Sequence, residues 1–482
     1  MNSAPVAFKY VEDRGAASAE RPVEMTAIAE HVATLRYDDI PPDTVAKAKL
    51  RILDLVGCAL GGKPGNGNEA LVRCLDAMGS APRASVIGFD TKLSAGDAAL
   101  ANAVIARSYD FEVMTVIVGD IAIGSHNSPT TCMTALALAE ERSLSGRDFL
   151  TALIMGDDVA ARMLAASGLD LGAGWDASSI FTVIPAAAIA AKLMGLDAER
   201  SRDAMGHAVE MISGTTQSVW DGIPAWKLVG GLAAKNGIFA AQLAATGAWP
   251  AVGDALRSGY GFFGQFTTGC LDPDILTREL GQTFFAEEYF KPYPSCAATQ
   301  AMMECALELS GGEQFLPEQI ASLTVRVPEF VLGTALALPF AAARDDHTRA
   351  NFSIRYQIAN AILRGRTRQE HYAPTAIRSP DVAAILERLE LAPLPAGTRG
   401  VEAEMTLADG RRLQASHTGV TWRHPQRQPS TERDVLDKFH EQVAFSGASS
   451  AARADEIAQR VLSLEGETNM AELAALLAAP GR

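Results

Sequence analysis

Asp110, Glu112 and His126 fall within RSYDFEVMTVIVGDIAIGSHNSPTT, residues 107 to 131, between the end of one apolar periodic run and the start of the next. Two carboxylates, an imidazole and a row of hydroxyls in a connector are groups that take up, release and hydrogen-bond protons. Lys227 stands between a Gly/Pro turn and a helix start in GIPAWKLVGGLAAKNG, and Lys291 precedes a proline-punctuated turn in EEYFKPYPSCAATQ, where the Ser295 hydroxyl is placed to cap the next helix. Tyr356 sits among basic residues at a helix start in DDHTRANFSIRYQIANAILRG. Each has a plain structural reading as well: a lysine that snorkels to solvent, a surface-loop lysine, a core ring with a satisfied hydroxyl.

Other chemistries would leave spacings that this chain does not contain. The eight histidines stand apart, with no HExxH, no CxxC pair and no EF-hand loop, so no tight metal site is expected. There is no GxGxxG opening a helix after a strand, no GxxxxGKS and no GxSxG. GYGFFG at 259 to 264 reads as a tight turn packing two Phe rings. A net charge of −15 argues against a nucleic-acid partner, which would require a basic surface. Six scattered cysteines fit a reducing cytoplasm. The N-terminus shows no basic segment followed by an apolar run, and the longest uncharged stretch, NGIFAAQLAATGAWPAVG, is broken by Asn, Gln, Gly and Pro. Neither a secretory signal nor a membrane partner is expected.

Positioning such residues falls to Ala-rich helices in the first half. VAKAKLRILDLVGCALGG has helical spacing and is expected to stop at Gly61 and Gly62 in the left-handed C-terminal position. SPTTCMTALALAEERSLSG offers Ser128 as N-cap and Pro129 as first helical residue, which puts His126 just outside a helix N-terminus. Helices also follow in RDFLTALIMGDDVAARMLAAS, in SSIFTVIPAAAIAAKLMGL despite Pro185, and in GGLAAKNGIFAAQLAATG. After about residue 285 the texture changes: ASLTVRVPEFV reads as a strand, and VEAEMTLADGRRLQASHTGV as two strands joined at Asp409-Gly410. TWRHPQRQPSTERD reads as a linker, and Thr431 with Asp434 opens a final helical region. The expectation is a mainly α protein: an arm over 1–24, a helical domain over 25–287, a smaller α+β lid over 288–424, and a helical tail over 425–482 that packs back on the first domain.

Several ordered segments resemble the MmgE/PrpD family: LRILDLVGCALGG, ANAVIARSYDFE, GSHNSPTT, AAAIAAKLMGLD, WKLVGGLAAKNGIFAAQLAATG, YFKPYPSCAATQ and NFSIRYQIANAILRG, over residues 25 to 475. That family includes 2-methylcitrate dehydratase, cis-aconitate decarboxylase and iminodisuccinate epimerase. The resemblance implies a homodimer of a helical domain built from both chain ends plus an α+β lid, with the active site between them and no metal or organic cofactor. It assigns Asp110, His126, Lys227, Lys291 and Tyr356 to catalysis, with Ser128, Asp176, Arg355 and Cys296 as substrate-binding candidates. Departures are visible. Val113 follows Glu112 where a second acid is usual, the His-Pro-Ser turn is His126-Asn127-Ser128-Pro129, and Asp176 and Gln300 stand where members often carry histidines. Asp176 is then either a substitute base or a helix N-cap.

The expected substrate is a small di- or tricarboxylate, whose charge the two lysines would oppose inside an acidic protein. The expected reaction is abstraction of a carbon-bound proton beside a carboxylate by His126, its ring oriented by Asp110, or by a lysine. Tyr356 or the second lysine would return a proton or assist a leaving hydroxyl, giving a dehydratase or an epimerase. The alternatives are a non-catalytic anion-binding member with a degraded site, and Lys227 as a Schiff-base lysine for pyridoxal phosphate.

Overall fold

Caps and small apolar faces decide where the helices lie. The computed structural model describes residues 23–340, 346–420, 424–425 and 427–479. The expected arm up to residue 22 and part of the linker lie outside the described residues. Val23–Thr34 (α1) and Pro42–Gly62 (α2) open the chain, and Ser94 caps Ala95–Ala106 (α3) by accepting the Asp97 N–H. Ser128–Glu141 (α4) is followed by Gly146–Ala166 (α5), which opens with a reciprocal Ser145/Asp148 capping box. Pro185 falls in the first turn of Val183–Met194 (α6), where its missing N–H removes no helical bond. Leu228–Ala245 (α7) packs against α3 and α6.

Small residues allow these axes to come close, as the alanine content suggests. A Cβ at Gly237 would lie 2.4 Å from Ala186 Cβ, and one at Gly156 would lie 2.2 Å from Ile189 Cγ1. The same reason corrects one expectation. α2 stops at Gly62, as expected, but neither Gly61 nor Gly62 takes the left-handed conformation. A Cβ at Gly62 would sit 2.1 Å from the Ile105 carbonyl oxygen, so glycine there serves the approach of α3. Two helical stretches, Ala177–Met194 and Pro224–Ala245, have the length and hydropathy of a membrane span, and 83% and 56% of them are buried inside the molecule, as in core helices.

The architecture is mainly α with a smaller α+β portion. The first part is not purely helical, however. Met114–Val118 (β1) pairs antiparallel with Ile121–Ile123 (β2) and with Ala286–Tyr289 (β3), in the order β2-β1-β3. Register puts Val116 opposite both Ile123 and Glu287. Farther on come Ala297–Ser310 (α8), Ile320–Val327 (β4), Ile354–Arg364 (α9), Leu389–Pro393 (β5), Val401–Leu407 (β6) and Arg412–His417 (β7). The sheet order is β5-β4-β6-β7, with β4/β5 parallel and the other pairs antiparallel. The β6–β7 hairpin turns at Asp409-Gly410, where Gly410 has φ 89°.

Thr431 and Asp434 form the capping box of Glu432–Ser446 (α10), which packs along α2, and Met470–Leu477 (α11) packs on α4. A buried ion pair fastens α10 to α2: Lys438 Nζ lies 2.6 Å from Asp54 Oδ1. The same ammonium donates to the Phe111 carbonyl at 2.5 Å and lies 4.0 Å from the Phe111 ring centroid. Asp54 Oδ2 accepts the Val113 N–H at 2.8 Å. The helix pair thus grips the backbone on both sides of Glu112. Lys438→Met is expected to destabilise the protein by about 3–5 kcal/mol in urea unfolding, because it leaves a buried carboxylate without its cation. Adding Asp54→Asn should restore most of that loss; a double variant no more stable than the single would trace the loss to packing instead.

Candidate active site

Asp110 follows the end of α3 and takes a left-handed backbone conformation, φ 48°, that few non-glycine residues adopt, Asp more readily than most. Lys291 holds it there. Its ammonium donates to the Asp110 carbonyl at 2.7 Å, to Asp110 Oδ1 at 2.7 Å and to the Ser295 carbonyl at 3.3 Å. Both side chains are buried, at 0% and 1% exposure. Three acceptors match the three N–H bonds of the ammonium.

Glu112 is the hub beside this pair. Its Oε1 accepts from Arg107 at 2.8 Å and from His126 Nδ1 at 2.8 Å. Burial pushes its carboxyl up, but Arg107, the His126 hydrogen bond and the Lys291 charge outweigh this and hold it well below the usual carboxylate range. An ionised Glu112 can only accept, so His126 Nδ1 carries the proton of that bond and Nε2 is the ring nitrogen turned away from it. That Nε2 lies 3.7 Å from Asp110 Oδ1, beyond hydrogen-bond length, and the ring is 21% exposed. Glu112, rather than Asp110, therefore orients the imidazole. Arg107 also stacks over Trp226, 4.8 Å from the ring centroid.

The N-terminus of α4 is already occupied by a carboxylate. Glu287 on β3 accepts from the Asn127 N–H at 2.7 Å, the Ser128 N–H at 2.9 Å and the Ser125 hydroxyl at 2.6 Å. Asn127 occupies the cap position and Ser128 is the first helical residue, so the expected Ser128 cap is replaced by one reaching across from another strand. The Ser128 backbone is committed to Glu287.

Lys227 lies on the far side of Ser108. It donates to the Asn66 carbonyl at 2.8 Å, to Asn68 Oδ1 at 2.9 Å and to the Ser108 hydroxyl at 3.4 Å, with 2% exposure. Neither lysine snorkels to solvent. Asn66 is also in the wall of a cavity of about 840 Å³. Tyr109, His347, Tyr372 and Phe445 line it with packed rings, 4.7 to 5.7 Å apart, and His347 Nε2 donates to the Ser108 carbonyl at 2.9 Å. Burial, reinforced by Lys227, lowers His347 to about 3, so it is neutral near pH 7.

Asp110, His126 and Lys291 are thus brought together, with Lys227 across Ser108. Tyr356 does not join them. Its hydroxyl donates to the His371 carbonyl and its ring stacks on Phe340. Arg355 donates to the Leu389 carbonyl at 3.1 Å, on β5, apart from this group. Cys296 lies near Asp110 and Lys291, and burial, with the Asp110 charge, pushes its thiol up to about 12, so it is protonated at neutral pH. Ser295 supplies its carbonyl rather than a hydroxyl cap. Asp176 accepts from the Ser178 N–H at 2.9 Å and caps Ala177–Ile180, while its charge reaches Arg107. Gln300 accepts from the Tyr289 hydroxyl at 2.6 Å and donates to the Tyr293 and Ser295 carbonyls at 2.9 and 3.2 Å. Reading the sequence did not single out Arg107, Glu287, Asn68 or His347. Glu287 alone left a trace, as an acid in the strand-like EEYF beside Lys291.

One ligand atom each from Asp110, Glu112 and His126 lies within 4.8 Å of the others, close enough to hold a metal ion. Arg107 and Lys291 already neutralise both carboxylates, so a dication would have to displace two buried cations.

The chain matches the MmgE/PrpD N-terminal domain over residues 26–272 and the MmgE/PrpD C-terminal domain over 293–464. It is 24% identical over 475 residues to the cis-aconitate decarboxylase-like protein oryM of Aspergillus oryzae, covering 92% of this chain and 95% of that one. It is 25% identical over 445 residues to human cis-aconitate decarboxylase, covering 86% and 87%, and 29% identical over 245 residues, half of each chain, to that of Aspergillus terreus.

The Glu112 geometry has a stability consequence. A carboxyl held below its unfolded value of about 4.3 contributes stability that is present above that pH and lost as pH falls toward the folded value. Glu112→Gln should therefore flatten the fall in unfolding free energy below about pH 4.3, measured by urea melts at stepped pH. A slope equal to the unaltered protein's would contradict the assignment.

Proposed function

The chain belongs to the MmgE/PrpD family, and on that premise we propose that it is a lyase that generates an enolate-like carbanion beside a carboxylate in a di- or tricarboxylate. The observation that carries the reading is the Glu112–His126 pair set next to the Asp110–Lys291 ion pair. With Nδ1 donating to Glu112, Nε2 accepts a proton from carbon, and Glu112 and Asp110 stabilise the resulting imidazolium. Lys291 and Lys227 set a positive field on either side of residues 108–110 against the charge that develops on the substrate. The chemistry uses only these side chains and requires no cofactor.

Loss of a neighbouring hydroxyl from the carbanion gives dehydration. Loss of a carboxylate as CO2 forms the same kind of carbanion directly, and a proton taken up from solvent at Nε2 is then passed to carbon; the names of the relatives support this route. Return of a proton to the opposite face gives epimerisation.

One observation favours the second reading, an anion-binding protein without turnover. Asp176 and Gln300, standing where members often carry histidines, are engaged in a helix cap and in bracing the turn after β3. Proton NMR of a panel of di- and tricarboxylates in deuterated buffer separates the two. The lyase should place solvent deuterium on a carbon next to a carboxylate, and His126→Ala should slow this about 10²–10⁴-fold without unfolding the protein. Binding without exchange or turnover anywhere in the panel would leave the anion binder.

A further inference from the structure

RGRTRQEH, residues 364 to 371, sets arginines at three alternate positions from the end of α9 onward, and the chemistry above uses none of them. Arg364 is spent on the fold, donating to Asn360 Oδ1 and to the Ala376 carbonyl. Arg366 Nη2 lies 3.0 and 2.7 Å from the two carboxylate oxygens of Glu441 on α10, while its Nε has no partner among the described residues. Arg368 is exposed; its backbone N–H donates to His371 Nδ1 at 3.1 Å, and its guanidinium makes no hydrogen bond or ion pair among the described residues. Gln369 is 6% exposed, and its Nε2, beside Gly61 on α2, also has no partner there.

These groups share one cavity. Arg366, Thr367, Arg368 and Gln369 line about 400 Å³, and most of the remaining lining is apolar: Phe111, which precedes Glu112, Pro292, which follows Lys291, and Phe445 of α10. Two acids border it, Glu441 paired with Arg366 and Glu370 exposed. The arginines prevail at the neighbouring His371, where burial and then the charges of Arg364, Arg368 and Arg366 hold the ring down to about 4. Donors without acceptors, beside a guanidinium without a counter-ion, are completed by an anion. The planar guanidinium fork matches paired oxygens of a carboxylate or a phosphate. At about 30 Å³ for each heavy atom the space holds roughly a dozen.

We propose that this cavity binds a compact organic oxyanion, a phosphate ester or a carboxylate, with its oxygens held by the Arg366–Gln369 wall and its carbon skeleton against Phe111 and Pro292. The site is separate from the candidate active site and touches it only through the residues that adjoin Glu112 and Lys291. It does not depend on the lyase reading.

The test is calorimetric titration of the full-length protein with glycerol phosphate and with tricarballylate, the tighter of the two naming the head group. Arg368→Ala, a change at an exposed position, should weaken that binding about 10-fold or more, as expected for loss of a hydrogen bond to a charged group. Arg368→Lys should recover part of it, since the charge is kept and the fork is lost. His126→Ala should leave it unchanged. Failure of both probes to bind, or binding that survives Arg368→Ala, overturns the proposal. Binding abolished by His126→Ala would place the anion in the candidate active site and overturn it as well. No turnover is measured, so failure of the lyase reading leaves these outcomes unaffected.

Discussion

Burial of charge between residues 107 and 113 is the constraint on which the rest of the structure depends. Arg107, Asp110 and Glu112 are at most 4% exposed, and an isolated ion in such surroundings costs several kcal/mol. Each is therefore matched: Arg107 with Glu112, Asp110 with Lys291, and the backbone flanking Glu112 with Asp54 and Lys438. The pairing also fixes conformation. Lys291 takes both the carbonyl and the carboxylate of Asp110, and that double grip offsets the cost of a positive φ.

The matching groups come from remote parts of the chain. Asp54 lies on α2, Lys438 on α10, and Lys291 just after β3. A single strand–turn unit does two jobs, since Glu287 caps α4 behind His126 and Lys291, four residues later, holds Asp110. Pairing of β3 with β1 sets the distance between those two anchors. The site is consequently a product of the whole tertiary fold, with the C-terminal helix α10 as much a part of it as the connector that carries the histidine.

The sequence was legible where the determinants were local. Thr431 and Asp434 placed the start of α10, and Asp409-Gly410 placed the β6–β7 turn. The β2-β1-β3 sheet was not legible, because β1 and β2 are five and three residues long, and β3 pairs with β1 from some 170 positions away. Ser128 failed as a cap for the same reason: Glu287, invisible to any local rule, supplies a charged acceptor where a hydroxyl would have supplied a neutral one. Gly61 and Gly62 marked the end of α2, but that Gly62 also admits α3 shows only once the neighbouring helix is known. The ring orientation of His126 was likewise assigned to the wrong acid. Asp110 and Glu112 are two residues apart, and only the left-handed turn at Asp110 decides which carboxylate meets Nδ1.

The two positions where the family resemblance led one to expect histidines show how proton handling is confined. Gln300 holds three oxygens, those of Tyr289, Tyr293 and Ser295, and so braces the turn that presents Lys291; an imidazole has too few hydrogen-bonding atoms for all three. Asp176 is engaged in a helix cap and adds negative charge toward Arg107. His347, nearest to Lys227, is neutral, and its Nε2–H is committed to a backbone carbonyl. His126 presents Nε2 3.7 Å from Asp110 Oδ1, its other nitrogen being tied to Glu112. The ring is thus oriented by contacts within the folded protein itself, Glu112 holding Nδ1.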